Sequence, residues 1–218
     1  LRCKFMDNSS KDIKKNIKRT IEIPLKECLF KNKTIVLYGA RQVGKTTLVK
    51  KIESEFRASG DKRIQYLNCD LTSVSQALLK QEESHLSRIV GDTKLLIIDE
   101  AQRVENIGLT LKIIHDNHPE VQIIATGSSS FDLANKVNEP LTGRLLEFKL
   151  YPIGMHELLS CCSFIELQDQ LYHRLIYGNY PDIINASIDQ TRLYLDQLCS
   201  QYLYKDVLAF ETLKNASL

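Results

Sequence analysis

The octapeptide Gly39-Ala40-Arg41-Gln42-Val43-Gly44-Lys45-Thr46 constrains this chain more than any other stretch. It fits the pattern G-x-x-x-x-G-K-[ST], follows an apolar run at 35–38 and opens an apolar-periodic segment at 44–56. A strand, a glycine-bracketed loop and a helix in that order turn backbone N–H groups inward as a cradle for phosphate oxygens. The helix N-terminus adds its partial positive charge. The motif therefore assigns nucleotide binding to Gly39, Ala40, Arg41, Gln42, Val43, Gly44, Lys45, Thr46 and Thr47. Within it, Lys45 is placed to reach the β- and γ-phosphates and the Thr46 hydroxyl to bind Mg²⁺.

The pattern around this loop sets the fold class. Short apolar runs at 35–38, 63–69, 94–99, 121–126 and 145–150 alternate with helical periodicity at 44–56, 74–89 and 107–115. Such alternation predicts an α/β fold with a parallel sheet covered on both faces. After Pro152 three helical stretches follow with no strand between them, at 155–161, 166–177 and 190–210, and Gly178-Asn179-Tyr180-Pro181 separates the last two. Upstream, Ile13, Ile17 and Ile21 recur every fourth residue among Lys11, Lys14, Lys15, Lys18 and Arg19, which predicts an amphipathic helix with a basic face over 9–30. The expected organisation is an N-terminal helical segment (1–33), an α/β core (34–153) and a helical lid with a junction to a further domain (154–218).

A second motif bears on the reaction. Leu95-Leu96-Ile97-Ile98 buries a strand and delivers Asp99 and Glu100 at its C-terminal end, where α/β sheets bind ligands. Asp99 is expected to hold Mg²⁺ and Glu100 to polarise an attacking water as general base. A guanine-specific site needs Asn-Lys-x-Asp, and Asn135-Lys136-Val137-Asn138 lacks the acid. A phosphotransferase has no need of an acid placed to activate water, so the Asp-Glu pair points to ATP hydrolysis. Beyond it, Thr126-Gly127-Ser128-Ser129-Ser130 ends another strand. Ser128 is the first candidate for a residue that senses the γ-phosphate and Thr126 the second, and Ser129 or Ser130 also suits a helix N-cap. Arg144, before the fifth strand, is a candidate for a guanidinium on the γ-phosphate, from its own chain or a neighbour's. Its alternative is a surface ion pair with Glu139 or Glu147.

Composition narrows the partners. A net charge of +2 gives no global electrostatic case for nucleic acid. The basic 11–19 face keeps that reading open, and a second copy of the chain is the other open partner. No apolar run approaches the ~20 residues that span a bilayer. The cysteines at 3, 28, 69, 161, 162 and 199 form no CxxC pair and read as reduced thiols of a cytoplasmic protein.

Together "GARQVGKTTL", "LLIIDEAQRV", "ATGSSSFDL", "LTGRLLEFKLYPIGMHELL" and "YGNYPDII" resemble the AAA+-like P-loop ATPases with an additional strand and a catalytic glutamate. Among these the chain is most similar to the prokaryotic predicted ATPases of the AAA_14 family, usually followed by a DUF4143 domain. The resemblance implies ATP and Mg²⁺ as ligands, a sheet in order 5-1-4-3-2, a helical lid, a sensor role for Ser128 and a functional role for Arg144. It implies that Gly178 and Pro181 contact the adenine side of the nucleotide, with Asn179 standing where the family typically has a second glycine. Arg174 and Arg192 read as helix-surface residues rather than a second sensor. "QLCSQYLYKDVLAF" resembles the junction into the second domain, the expected partner that hydrolysis moves. The competing reading is a nucleotide-loaded switch that hydrolyses slowly or not at all.

Overall fold

The computed structural model describes residues 17–128 and 140–200. They belong to two compact units, one spanning 21–150 and the other joining 17–20 to 151–200. The first unit holds a sheet of five strands: β1 (Thr34–Gly39), β2 (Ile64–Asn68), β3 (Leu95–Asp99), β4 (Gln122–Ser128) and β5 (Leu145–Lys149). Their order is β2-β3-β4-β1-β5, which is 5-1-4-3-2 read from the other edge. Every pairing is parallel. The interior strands β1, β3 and β4 are buried at every position, whereas the edge strands β2 and β5 are partly exposed. Burial on both faces is why the interior strands read as unbroken apolar runs.

The helices of this unit are α1 (Glu22–Glu27), α2 (Lys45–Ala58), α3 (Thr72–Leu79), α4 (Glu83–Val90) and α5 (Ile107–Asn117). On one face Val36, Leu96, Ile98 and Ala125 share a core with Leu78 of α3, Leu86 and Val90 of α4, and Leu111 and Ile114 of α5. Alternation turns Ile35, Leu37, Ile97 and Ile124 to the other face, where α2 packs with Leu48, Val49 and Ile52 buried. Each such aliphatic side chain contributes about 1.5–3 kcal/mol on burial.

Two helical stretches before Leu95 depart from the expected bounds. The periodicity at 74–89 divides into α3 and α4, with Lys80 and Glu82 extended between them. Glu82 starts the new helix by accepting the amides of His85 and Leu86, and the break seats Leu78 and Leu86 in the same core. The helix expected over 9–30 is shorter: among the described residues the chain is irregular at 17–19, turns at 20–21 and is helical only at Glu22–Glu27. Pro24 explains the late start. It has no N–H and would clash with the carbonyl of residue 20 in a continuous helix, but is tolerated in a first turn. Residues 9–16, with Lys11, Lys14 and Lys15, lie outside the described residues.

The second unit carries α6 (Met155–Leu158), α7 (Phe164–Asp169), α8 (Leu171–Tyr177), a 3₁₀ turn at Pro181–Ile183 and α9 (Ile188–Leu198). Ser163 and Ser187 cap α7 and α9, each accepting the amide of the third helical residue at 3.3 Å. The helix expected over 166–177 is broken at Gln170 into α7 and α8. A small core of Ile153, Leu158, Leu167 and Ile184 gathers Ile17 and Cys162. Beside it Glu157 accepts from Arg19 Nε at 3.2 Å, Thr20 N at 2.7 Å and Gly154 N at 2.9 Å. Arg19 also donates to the Tyr151 carbonyl, so this member of the expected basic face is engaged within its own unit. The described cysteines are free thiols, and among the described residues no helix is long and apolar enough to cross a membrane.

Candidate active site

A parallel sheet places the C-terminal ends of β1, β3 and β4 along one edge, and three of the sequence motifs end there. β1 leads into the loop of residues 39–44. Gly39 is required by space: a Cβ would lie 2.5 Å from the Leu150 carbonyl oxygen and 3.0 Å from Val43 Cγ2. Gln42 (φ 62°) and Gly44 (φ 99°) are left-handed, which curls the backbone back on itself before α2 begins. Val43 is fully buried beneath the loop, Ala40 and Arg41 are half-buried, and Gln42 and Thr47 are exposed.

Lys45, in the first turn of α2, is only 5% exposed. Its Nζ donates to the carbonyls of Gly39 at 2.8 Å and Ala40 at 2.9 Å, so the ammonium sits within the curve of the loop. Burial pushes its pKa down, against the attraction of Glu100 and Asp99. The adjacent Thr46 hydroxyl donates to Asp99 Oδ2 at 2.8 Å.

Asp99 ends β3 and is 2% exposed. Besides Thr46 it accepts from Tyr66 at Oδ2 and from Thr126 at Oδ1. The next residue, Glu100, is left-handed at φ 54°, a conformation that costs a non-glycine residue about 1–2 kcal/mol. Its amide donates to Thr126 Oγ1 at 3.3 Å and its Oε2 accepts from Gln102 Nε2 at 2.5 Å. Thr126 therefore links the two acids directly. Ser128 is buried and pairs in register with Gly39, which sets it beside the phosphate loop. Ser129 and Ser130 lie outside the described residues.

Thr46 and Asp99 suit Mg²⁺. Both offer hard oxygen donors 2.8 Å apart, and Mg²⁺ is held by one or two such protein oxygens together with substrate phosphates.

Arg144 is placed elsewhere. It precedes β5, whose first residue Leu145 pairs with Thr34 at the start of β1. Gly39 lies at the other end of β1, roughly 16 Å away at about 3.3 Å per residue. Within one chain this arginine does not reach the phosphate loop. Its Nε pairs with Asp116 at 2.6 Å, while the expected partner Glu139 lies outside the described residues. The pair is half-exposed, where such contacts contribute about 0–1 kcal/mol.

Gly178 and Pro181 belong to the helical unit. Gly178 ends α8 at φ 77°, and Pro181 opens the 3₁₀ turn. Asn179 has no positive φ, so a second glycine is not needed there. Arg174 is not on the surface: it is 7% exposed, with Nη1 donating to Asn179 Oδ1 at 3.0 Å and Nη2 to Gln170. Burial lowers its pKa. Arg192, by contrast, is exposed and donates to the Tyr177 hydroxyl at 3.1 Å.

Sequence reasoning missed Tyr66 and Gln102. Tyr66 reaches Asp99 only because β2 pairs with β3, which no local pattern reveals. Gln102 lies two residues past Glu100, a spacing with no helical or strand significance of its own. The left-handed turn at Glu100 brings them together.

A family model described as an AAA domain, AAA_14, matches residues 31–159. An uncharacterised protein of Methanocaldococcus jannaschii is 29% identical over 183 residues, covering 81% of this chain and 36% of its own length. A second from that organism is 28% identical, covering 92% of this chain and 47% of its own length. The chain thus spans less than half the length of these relatives. Among solved structures, AMPPCP-bound DnaA from Aquifex aeolicus superposes with a TM-score of 0.51 at 15% identity, covering 91% of this chain and 70% of that one. The structural likeness is one of fold.

Proposed function

The chain belongs to the AAA_14 family of AAA domains, a nucleotide-binding ATPase family, and from that premise we propose that it hydrolyses ATP with Mg²⁺. We assign the coupling of that hydrolysis to movement of the helical lid or of a partner domain. The observation that carries the reading is the hydrogen-bonded line Thr46–Asp99–Thr126–Glu100 at the foot of the phosphate loop. It joins the residues proposed for metal, sensing and water activation in one rigid arrangement, and preorganisation of this kind lowers a barrier without reorganisation during reaction.

In this reading the amides of residues 40–46 and the Lys45 ammonium hold the β- and γ-phosphates. Thr46 and Asp99 would hold Mg²⁺, which would supply neutralisation of phosphate charge. Glu100 accepts the proton of the attacking water. Thr126 holds both acids in place and Ser128 lies within the loop's reach to register the γ-phosphate. Arg144, remote from its own loop, is assigned to the site of a second copy. Gly178 and Pro181 are assigned to the adenine side.

Phosphate release measured for the wild-type chain, Lys45→Ala and Glu100→Gln tests the reading. Lys45→Ala is expected to lose nucleotide affinity, and Glu100→Gln to keep it while losing turnover by about 10²–10⁴-fold. Equal rates in all three overturn hydrolysis at this site. Tight retention of ATP by the wild type without turnover favours the slow switch.

A further inference from the structure

Gln102 makes two observations that the roles above leave unexplained. Its side-chain nitrogen donates to Glu100 Oε2 at 2.5 Å. Its side-chain oxygen is buried and has no hydrogen-bond partner among the described residues. The orientation follows from chemistry: a carboxylate only accepts, so the amide must face it with nitrogen, which leaves oxygen on the other side. A buried acceptor without a donor costs about 1–3 kcal/mol. Such a cost at the residue beside the candidate general base calls for a compensating role.

Covalent geometry limits where that oxygen can be. The nitrogen and oxygen of an amide are about 2.3 Å apart, so Gln102 Oε1 lies at most about 5 Å from the Glu100 carboxylate oxygen its nitrogen contacts. That oxygen has almost no surface open to water, so the amide stays turned with its nitrogen on the carboxylate. Backbone geometry supports a fixed pair. Glu100 is held left-handed, its amide is tied to Thr126, and Ala101–Arg103 is a 3₁₀ turn, so the two side chains are fixed by their own main chain. Among the described residues Lys45 from α2, and Tyr66 and Cys69 from β2 and its exit, feel the Glu100 charge.

We infer that Gln102 is a positioning residue for the general base, clamping the Glu100 carboxylate through Nε2 so that it faces the hydrolytic water. The inference rests on the hydrolysis reading and adds a residue to it. In the step itself, the water oxygen forms a bond to the γ-phosphorus and the bond from that phosphorus to the β–γ bridging oxygen breaks. ADP departs with the bridging electrons, and the water's proton passes to Glu100. Gln102 gives up no proton. It restricts the Glu100 carboxylate to one orientation, from which the proton is accepted.

The test is a double-mutant cycle read in single-turnover hydrolysis, together with binding of a non-hydrolysable ATP analogue. Gln102→Leu is expected to lower the hydrolysis rate by about 10–100-fold, the loss associated with a misplacement of about 1 Å. Analogue affinity is expected to stay within about twofold, since the hydrogen bond Gln102 makes goes to Glu100 rather than to the loop. In a Glu100→Gln background the same change is expected to cost less than about twofold, because its effect runs through the carboxylate. A Gln102→Leu rate within twofold of wild type overturns the inference. So does an equal loss in both backgrounds, or a matching loss of analogue affinity. If the leucine variant does not fold, Gln102→Met enters the same cycle. Failure of the underlying reading looks different: Glu100→Gln alone then hydrolyses as fast as wild type.

Discussion

At Gly39 a single hydrogen in place of a methyl decides whether β1 can feed the phosphate loop beneath Leu150. The motif identifies this glycine from sequence, but the reason differs from the usual one of backbone freedom: the obstacle is a carbonyl oxygen 2.5 Å from the Cβ position. Backbone cannot rotate away as a side chain can. Gly39→Ala is therefore expected to destabilise the chain by about 1–3 kcal/mol, seen as a lower urea midpoint, and to weaken nucleotide binding as the loop shifts. An unchanged midpoint with unchanged affinity contradicts the steric account. The placement of Lys45, Thr46, Asp99 and Glu100 was legible too, since each sits at a fixed offset from a strand end. Tyr66 was not, because its contact with Asp99 crosses from one strand to another. Arg174 was misread as a surface residue, because helical spacing does not say which face meets a core as small as that of the second unit.

Among the elements, the sheet was the most readable part and the helix boundaries the least. An apolar run bounded by turns has one low-energy outcome in a doubly covered sheet, while a helix ends wherever its carbonyls find a better partner. The start of the described chain shows this: Thr20 gives its amide to Glu157, 137 residues away, and the helix begins only after it. Burial pushes the Glu157 carboxyl up, but the amides of Thr20 and Gly154 and the Arg19 guanidinium outweigh it and hold the group below its ordinary 4.5. A carboxylate depressed on folding adds stability above its unfolded pKa, and loses it as pH falls through the folded value. The melting temperature of the helical unit is thus expected to fall more steeply from pH 7 to about pH 3 in wild type than in Glu157→Gln. The variant should already be less stable at pH 7, by about 1.5–3 kcal/mol for the charged hydrogen bonds it weakens. Parallel acid limbs in the two proteins rule this out.

For the whole molecule, the parallel topology separates Arg144 from the phosphate loop by the length of a strand. Its proposed role on the γ-phosphate then requires a second copy of the chain. Wild-type turnover per chain is expected to rise with protein concentration, and Arg144→Ala to remove that rise while leaving analogue affinity within about twofold. An arginine of this kind is worth about 10³–10⁵ in rate where it operates, so the difference is large enough to read against weak basal turnover. Turnover independent of concentration in wild type, or a variant that loses nucleotide affinity, excludes a role in a neighbouring site.

The sequence alone determined the phosphate loop, the acid pair, the strands and the family, because each is written in contiguous residues whose periodicity or spacing has one physical meaning. The tertiary structure alone decided what meets at the site. Strand pairing brought Thr126 and Tyr66 to Asp99, a left-handed turn brought Gln102 to Glu100, and parallel register carried Arg144 to the opposite edge. Those contacts depend on which strands are neighbours and in what direction they run. No local stretch of chain encodes either.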